Sequence, residues 1–190
     1  MMQHIDVSTV LRTTVACDLY SNLVTRPTGA AVRRQIEALL CAGRANDERS
    51  LAVIDFSHVR MIDFSCADEV VAKLLLLYCE EEAPPRDDYF IFRGVSEEHL
   101  DAIEAVLERH GLALLIEDEV GLRPHGVLAD EERAAWELVV RRGHLTAPEL
   151  ADLLGMPQDD ARHALGTLHR LRLVIRTPSG YAPVQPQYHA

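Results

Sequence analysis

Residues 51–80 read LAVIDFSHVRMIDFSCADEVVAKLLLLYCE. Residues 51–56 are apolar on both alternating faces apart from Asp55 near the end, the pattern of a central strand covered on two sides. Residues 57–61 make a tight connection. Ser65 then stands as the N-cap of a long helix, and Asp68 follows three residues on, where a carboxylate suits the positive helix end. Ala67, Val70, Val71, Leu74, Leu77 and Tyr78 recur at helical spacing and predict the buried stripe. Leu75 and Leu76 fall beside and opposite that stripe. They mark either a partner or homodimer face or a place covered by another part of the chain.

On the N-terminal side, Ile5, Val7, Val10, Val15, Cys17 and Leu19 alternate loosely and predict one or two strands over 3–20. Residues 22–29 read as a loop. A helix is predicted over 30–42, with Val32, Ile36, Leu39 and Leu40 inward and Gly43 as a left-handed stop. On the C-terminal side, Pro84 and Pro85 mark a loop and residues 89–92 a strand. Ser96 caps a helix over 97–110 with Leu100, Ile103, Val106 and Leu107 inward. Gly111 ends it, and residues 112–116 form another strand. Alternating strands and helices predict an α/β fold with helices packed on a mainly parallel or mixed sheet.

The chain of 190 residues fits one large domain or two small ones, and its net charge is −11. The charge is unevenly spread: residues 1–126 hold 12 Lys+Arg against 22 Asp+Glu, residues 127–190 hold 7 against 8. The Gly and Pro of residues 121–127 therefore predict a linker between domains at 1–120 and 128–185, with a loose tail at 186–190. The acidic balance argues against indiscriminate nucleic-acid binding. No apolar run approaches the roughly 18 residues of a membrane span, and the N-terminus lacks an export pattern. Cys17, Cys41, Cys66 and Cys79 show no CxxC spacing. A cytoplasmic protein with reduced thiols, no metal and no cofactor is expected.

In the last third, residues 130–142 form a helix with Ala135, Trp136, Val139 and Val140 inward. Thr146 and Glu149 make a capping box around Pro148 and open a short helix. A third helix over 158–171 places Ala161, Ala164, Leu165, Leu168 and Leu171 inward, and a hairpin turns at Pro178-Ser179-Gly180.

Two resemblances follow from these residues. The run Asp55-Phe56-Ser57, Ile62-Asp63, Ser65 and Cys66-Ala67-Asp68-Glu69 resembles STAS domains, the module of anti-sigma-factor antagonists and sulfate-transporter tails. It is most similar to a subgroup with a Cys-Ala-Asp-Glu helix start and an Arg before its first helix, here Arg26. The likeness spans 5–118, its specific part 55–69. It implies a docking module whose partner is an ATP-binding, kinase-like regulator, contacted through Asp63, Phe64, Cys66, Asp68, Leu75 and Leu76. The chain departs from the family where antagonists carry the phosphorylated Ser or Thr: that position is Phe64, and the nearest hydroxyl is Ser65. Residues 128–185 resemble a bacterial winged helix-turn-helix, in which the third helix enters the DNA major groove. That likeness implies outward roles for Arg162, His163, Thr167, His169 and Arg170, and for Arg176 at the wing base. Asp159 and Asp160 stand where phosphate would approach, so a winged helix used for protein contact is the competing reading.

The chemistry at the helix start has open alternatives. Ser65 is either a cap or a phosphoacceptor, since phosphate suits a helix N-terminus. Cys66 is either a thiol activated by the helix dipole or a small packed residue. Asp55, Asp63 and Cys66 form the enzyme alternative, without a Gly-rich phosphate loop or metal spacing beside them. The favoured reading is a non-enzymatic regulator with a STAS-like interaction module. The main alternative is a DNA-binding transcription regulator whose STAS-like part senses or dimerises.

Overall fold

The computed structural model describes residues 2–14, 22–43, 49–79 and 87–185. The chain divides into two units, Met1–Gly126 and Val127–Ala190.

The first unit is built on a five-stranded sheet. Its strands are β1 (Met2–Asp6), β3 (Ser50–Asp55), β5 (Asp88–Arg93), β6 (Ala113–Asp118) and β7 (Gly121–Gly126), in the order β1-β3-β5-β6-β7. The first four are parallel, and β7 returns antiparallel beside β6. A short second pair, β2 (Asn22–Leu23) and β4 (Met61–Ile62), is also parallel. The helices are α1 (Val7–Thr14), α2 (Arg26–Ala42), α3 (continuous over 64–79) and α4 (Glu97–His110). The register lines up Ile5, Ile54, Phe92 and Ile116 across the sheet. All four are buried. Phe90 lies on the same face as Phe92 and meets the Tyr78 ring of α3 edge-on at 4.8 Å. This is a mixed α/β layer, with β3 internal, between β1 and β5, and Ala52, Val53 and Ile54 buried.

Four expectations are corrected here. Residues 7–14 are helical because Asp6 caps them: its Oδ1 accepts from the Ser8 amide at 2.8 Å and the Thr9 amide at 3.3 Å. The rest of the predicted 3–20 strand region, 15–20, lies outside the described residues, as do residues 44–48, residues 80–86 of the loop predicted around Pro84 and Pro85, and the predicted tail at 186–190. Residues 22–29 are not one loop. They supply β2 and the first turn of α2, which starts four residues early because Thr25 caps it and Pro27 fits its first turn. Gly43 is right-handed at φ −78°. An added Cβ there would stand 2.7 Å from Gln3 Oε1, the movable end of a flexible side chain. Finally, the expected linker at 121–127 is largely strand β7, and the unit boundary falls after Gly126.

The second unit contains α5 (Asp130–Arg142), α6 (Ala147–Leu154), α7 (Gln158–Arg170) and a hairpin of β8 (Val174–Thr177) and β9 (Gly180–Pro183). Leu145 and Tyr181 exchange two backbone hydrogen bonds at 2.9 Å, so the chain before α6 adds a bridge to the hairpin. Trp136, Val139, Leu150, Ala161, Leu165, Leu168 and Leu173 form its core. Val140 is exposed, against expectation. It lies one residue beyond Val139, about 100° around the helix from the buried row.

Candidate functional site

The junction between β4 and α3 gathers most of the residues singled out by sequence. Asp63, not Ser65, caps α3: its Oδ1 accepts from the Cys66 amide at 2.8 Å. Ser65 lies inside the first turn and donates its hydroxyl to the same oxygen at 2.9 Å. The preference follows from reach, since an aspartate spans from the cap position to the third amide while its second lone pair takes the serine hydroxyl.

Cys66 is fully buried. Its thiol donates to the Thr25 carbonyl at 3.0 Å, and a Cβ on Gly29 would stand 3.0 Å from the Cys66 Cα. The first turns of α2 and α3 therefore touch, and glycine permits it. Burial, with Asp63 nearby, pushes the Cys66 thiol up to about 11. Of the two readings of Cys66, the small packed residue fits this burial and the activated thiol does not.

Asp68 and Glu69 follow, and both are buried. Arg26 Nη1 donates to Asp68 Oδ2 and to Glu69 Oε1, each at 2.9 Å. His110, at the end of α4, stands 2.8 Å from Asp68 Oδ1. Lys73 pairs with Glu69 one turn on, and Arg33 Nε lies 3.5 Å from Glu69 Oε2. Burial alone would raise both carboxyls. The hydrogen bonds from His110 and Arg26 hold Asp68 below its usual value, and those from Lys73 and Arg26 do the same for Glu69. The anions are inside while the heads of Arg26 and Lys73 are about half exposed. The resemblance singled out Arg26 and the Asp-Glu pair separately; the fold brings them together.

The cluster sits on a distortion. Residues 68–72 form a π turn, in which the Lys73 amide donates to the Asp68 carbonyl five residues back. One extra residue in a turn delays everything after it by about 100°. The predicted stripe of Leu74, Leu77 and Tyr78 becomes Leu75, Tyr78 and Cys79, alongside Leu74. Leu75 is 1% exposed and Leu77 43%. The expected partner surface is corrected accordingly: Cys66, Asp68 and Leu75 are interior, Leu76 is half-buried, and Asp63 and Phe64 reach the surface.

What remains outside at this junction is apolar. Phe64 is 40% exposed and Met61 50%. Val24, which follows β2 beside β4, is also exposed. The Arg109 guanidinium lies 5.9 Å from the Phe64 ring centroid, in range for a cation–π contact. Neither Val24 nor Met61 carried a functional signal in sequence, because exposure depends on the β2–β4 pairing.

Asp55 lies at the end of β3, where it accepts from the Ser57 amide at 2.8 Å and pairs with His4 at 3.0 Å. It is therefore held in the turn after its strand, while Asp63 is held at the cap.

In the second unit, Arg162, His163 and Arg170 are exposed on α7, and Arg176 is exposed on β8. Arg162 is paired within its own helix to Asp159. His163 lines a cleft of about 300 Å³ with Glu131, Glu132 and Asp160. Thr167 is half-buried. His169 does not point outward as expected: it is half-buried, 3.4 Å from the Val174 carbonyl and edge-on to Tyr181. It belongs to the joint between α7 and the hairpin, because the hairpin folds back over that end of the helix.

Comparisons with family models, with curated proteins and with solved structures found no match to this chain. Among the described residues, no helix is long and apolar enough to cross a membrane, and no group of three or more His, Cys, Asp or Glu is placed to hold a metal ion.

Proposed function

We propose that this chain is a non-enzymatic bacterial regulatory protein. Its first unit is a STAS-like docking module, and its second is a winged helix. The observation that carries the reading is the exposed apolar group Val24, Met61 and Phe64 at the start of α3, with Arg109 beside Phe64. Apolar side chains grouped at one junction, with a cation beside them, suit protein contact. The acids and thiol that an enzyme would use are engaged in capping, pairing and packing. By resemblance, the partner is an ATP-binding, kinase-like regulator.

The test is a pull-down from native cell extract with the full chain and with Phe64→Asp and Met61→Asp. Partners retained by the native chain and released by both variants support the reading. Retention unchanged in both removes it. Ser65→Ala and Ser65→Asp in the same experiment decide the phosphoswitch: equal retention by both ends that idea.

Exposed Arg170 and Arg176 favour a second reading, a transcription regulator whose second unit binds DNA. Against it stand Asp159 and Asp160 in the first turn of α7 and the acid-lined cleft beside them. Duplex binding with a salt slope that falls by about 1 on Arg170→Ala and again on Arg176→Ala supports DNA contact. No retention at low salt leaves the second unit as a protein-contact module.

A further inference from the structure

The pairing of β2 with β4 turns Leu23 and Ile62 inward and leaves Val24 and Met61 on the outer side, where the start of α3 adds Phe64. Two arginines adjoin this apolar group. Arg60 precedes Met61 and is exposed. Arg109 is exposed and lies over the Phe64 ring. Most cations of this unit are held by its own acids: Arg26, Arg33, Arg49, Lys73, Arg93 and Arg123 all pair with carboxylates. Acids outnumber bases 22 to 12 over residues 1–126. Even so, among the described residues neither Arg60 nor Arg109 has a carboxylate partner.

Acids do lie in the neighbourhood, but each is engaged or turned aside. Asp63 Oδ1 is taken by the Cys66 amide and the Ser65 hydroxyl. On α4, Asp101 and Glu108 project about 80° and about 100° around the helix from Arg109. Glu98 shares the side of Arg109 but stands about 16 Å away along the axis. An apolar group rimmed by unpaired guanidinium groups fits a partner whose apolar side chains are flanked by carboxylates. Each arginine then gains a charged acceptor at the rim, while the apolar contacts exclude water from the centre. Nucleic acid and an anionic bilayer also offer negative charge, but they meet the whole face of a unit with this excess of acids. A short peptide meets only what lies within about one Debye length, roughly 8 Å.

We propose that the Val24, Met61 and Phe64 group binds an acidic peptide segment of its partner, with Arg60 and Arg109 taking carboxylates on either side of an apolar anchor. The proposal rests on the docking reading above and names the chemistry of the segment that docks.

The test selects a phage-displayed library of random peptides on the full chain. Enriched sequences are expected to carry Asp or Glu on both sides of a Leu, Ile or aromatic residue. A synthetic peptide of the enriched sequence is then followed by fluorescence anisotropy. It is expected to bind about tenfold more weakly to Arg60→Glu and to Arg109→Glu, and more weakly in high salt. Arg34→Glu, at an exposed position of α2, leaves binding unchanged. Lysines in place of the peptide's acids abolish binding to the native chain and restore it to the double variant Arg60→Glu, Arg109→Glu. Enriched peptides without acids, or binding indifferent to both arginine variants, overturn the proposal. If Phe64→Asp still releases such peptides, the docking reading stands and only the acidic segment falls. If neither Phe64→Asp nor Met61→Asp releases them, both fall. Failure to enrich any peptide also overturns the proposal and leaves the docking reading to the pull-down. Retention of a DNA duplex or of phosphatidylglycerol vesicles, lost in the same two arginine variants, would then assign these cations to phosphate. Far-UV circular dichroism verifies the fold of each variant, and Arg60→Ala or Arg109→Ala replaces a glutamate variant that does not fold, with weakening in the same direction.

Discussion

Arg26 and Asp68, 42 residues apart, meet through a 2.9 Å hydrogen bond that joins the first turn of α2 to the π turn of α3. The same nitrogen reaches Glu69. Two carboxylates can be buried side by side here because several cations share them. Removing Arg26 leaves both acids interior and under-compensated, whereas removing half-exposed Lys73 leaves Arg26 and Arg33 near Glu69. Arg26→Ala is therefore expected to lower the melting temperature more than Lys73→Ala, as differential scanning calorimetry would read.

The cap of α3 is open to mutation. Asp63→Ala removes an acceptor for the Cys66 amide and is expected to cost about 1 kcal/mol, the usual worth of an N-cap. Ser65→Ala leaves that bond intact and is expected to cost less, about 0.5 kcal/mol for one half-buried hydroxyl. Urea denaturation of the two variants at neutral pH ranks them. A larger loss from Ser65→Ala would return the cap to the serine.

The phase of α3 makes a sharper prediction. Leu75→Ala opens a cavity in the core and is expected to cost about 2–5 kcal/mol. Leu77→Ala truncates a side chain that is largely outside and is expected to stay within about 0.5 kcal/mol. Equal losses in equilibrium unfolding would contradict the π turn.

Acid should destabilise the protein in two stages. Burial holds His99 below its ordinary pKa of 6.5, so its ring is kept neutral in the fold. The unfolded chain then binds the extra proton more readily, and stability falls as pH drops below about 6.5. Asp68 and Glu69 are depressed in the fold. Their contribution is present above the unfolded carboxylate values near 4 and is lost as pH falls through the lower folded values. A stability curve measured from pH 8 to pH 2 should show both declines, and His99→Gln should flatten only the first.

The thiols should separate by position. Cys41 is exposed, and Cys66 and Cys79 are buried. Maleimide at neutral pH is expected to modify Cys41 quickly. Cys66, buried and raised to about 11, should react only as fast as the surrounding structure opens. Rapid native-state modification of Cys66, read by peptide mass mapping, would reverse the assignment of this residue as inert.

Much of the candidate site was legible in pieces. The strand at 51–56, the helix that follows it, the Ser96-started helix and the three-helix-plus-hairpin pattern of the last third all follow from period and punctuation, which act over a few residues. The cap role of Asp63 was not legible because Ser65 is also a good cap residue, and only geometry shows which oxygen reaches the free amide. Val24 and Met61 gave no signal, since their exposure depends on β2 lying beside β4. Helix α1 was missed because the Asp6 cap had to compete with a loose alternation of apolar residues.

The sequence by itself determined the alternation of strands and helices and the apolar run at 74–79 of α3, because both are written in local spacing. It left open which leucines would be inside, since a run of four satisfies more than one helical phase. Tertiary structure decided that, by holding Asp68 and Glu69 against Arg26 and Arg33 of α2, His110 at the end of α4 and Lys73 of α3 itself. The wide turn they occupy rotates everything after it, and no local pattern encodes a rotation fixed by partners more than 40 residues away in the chain.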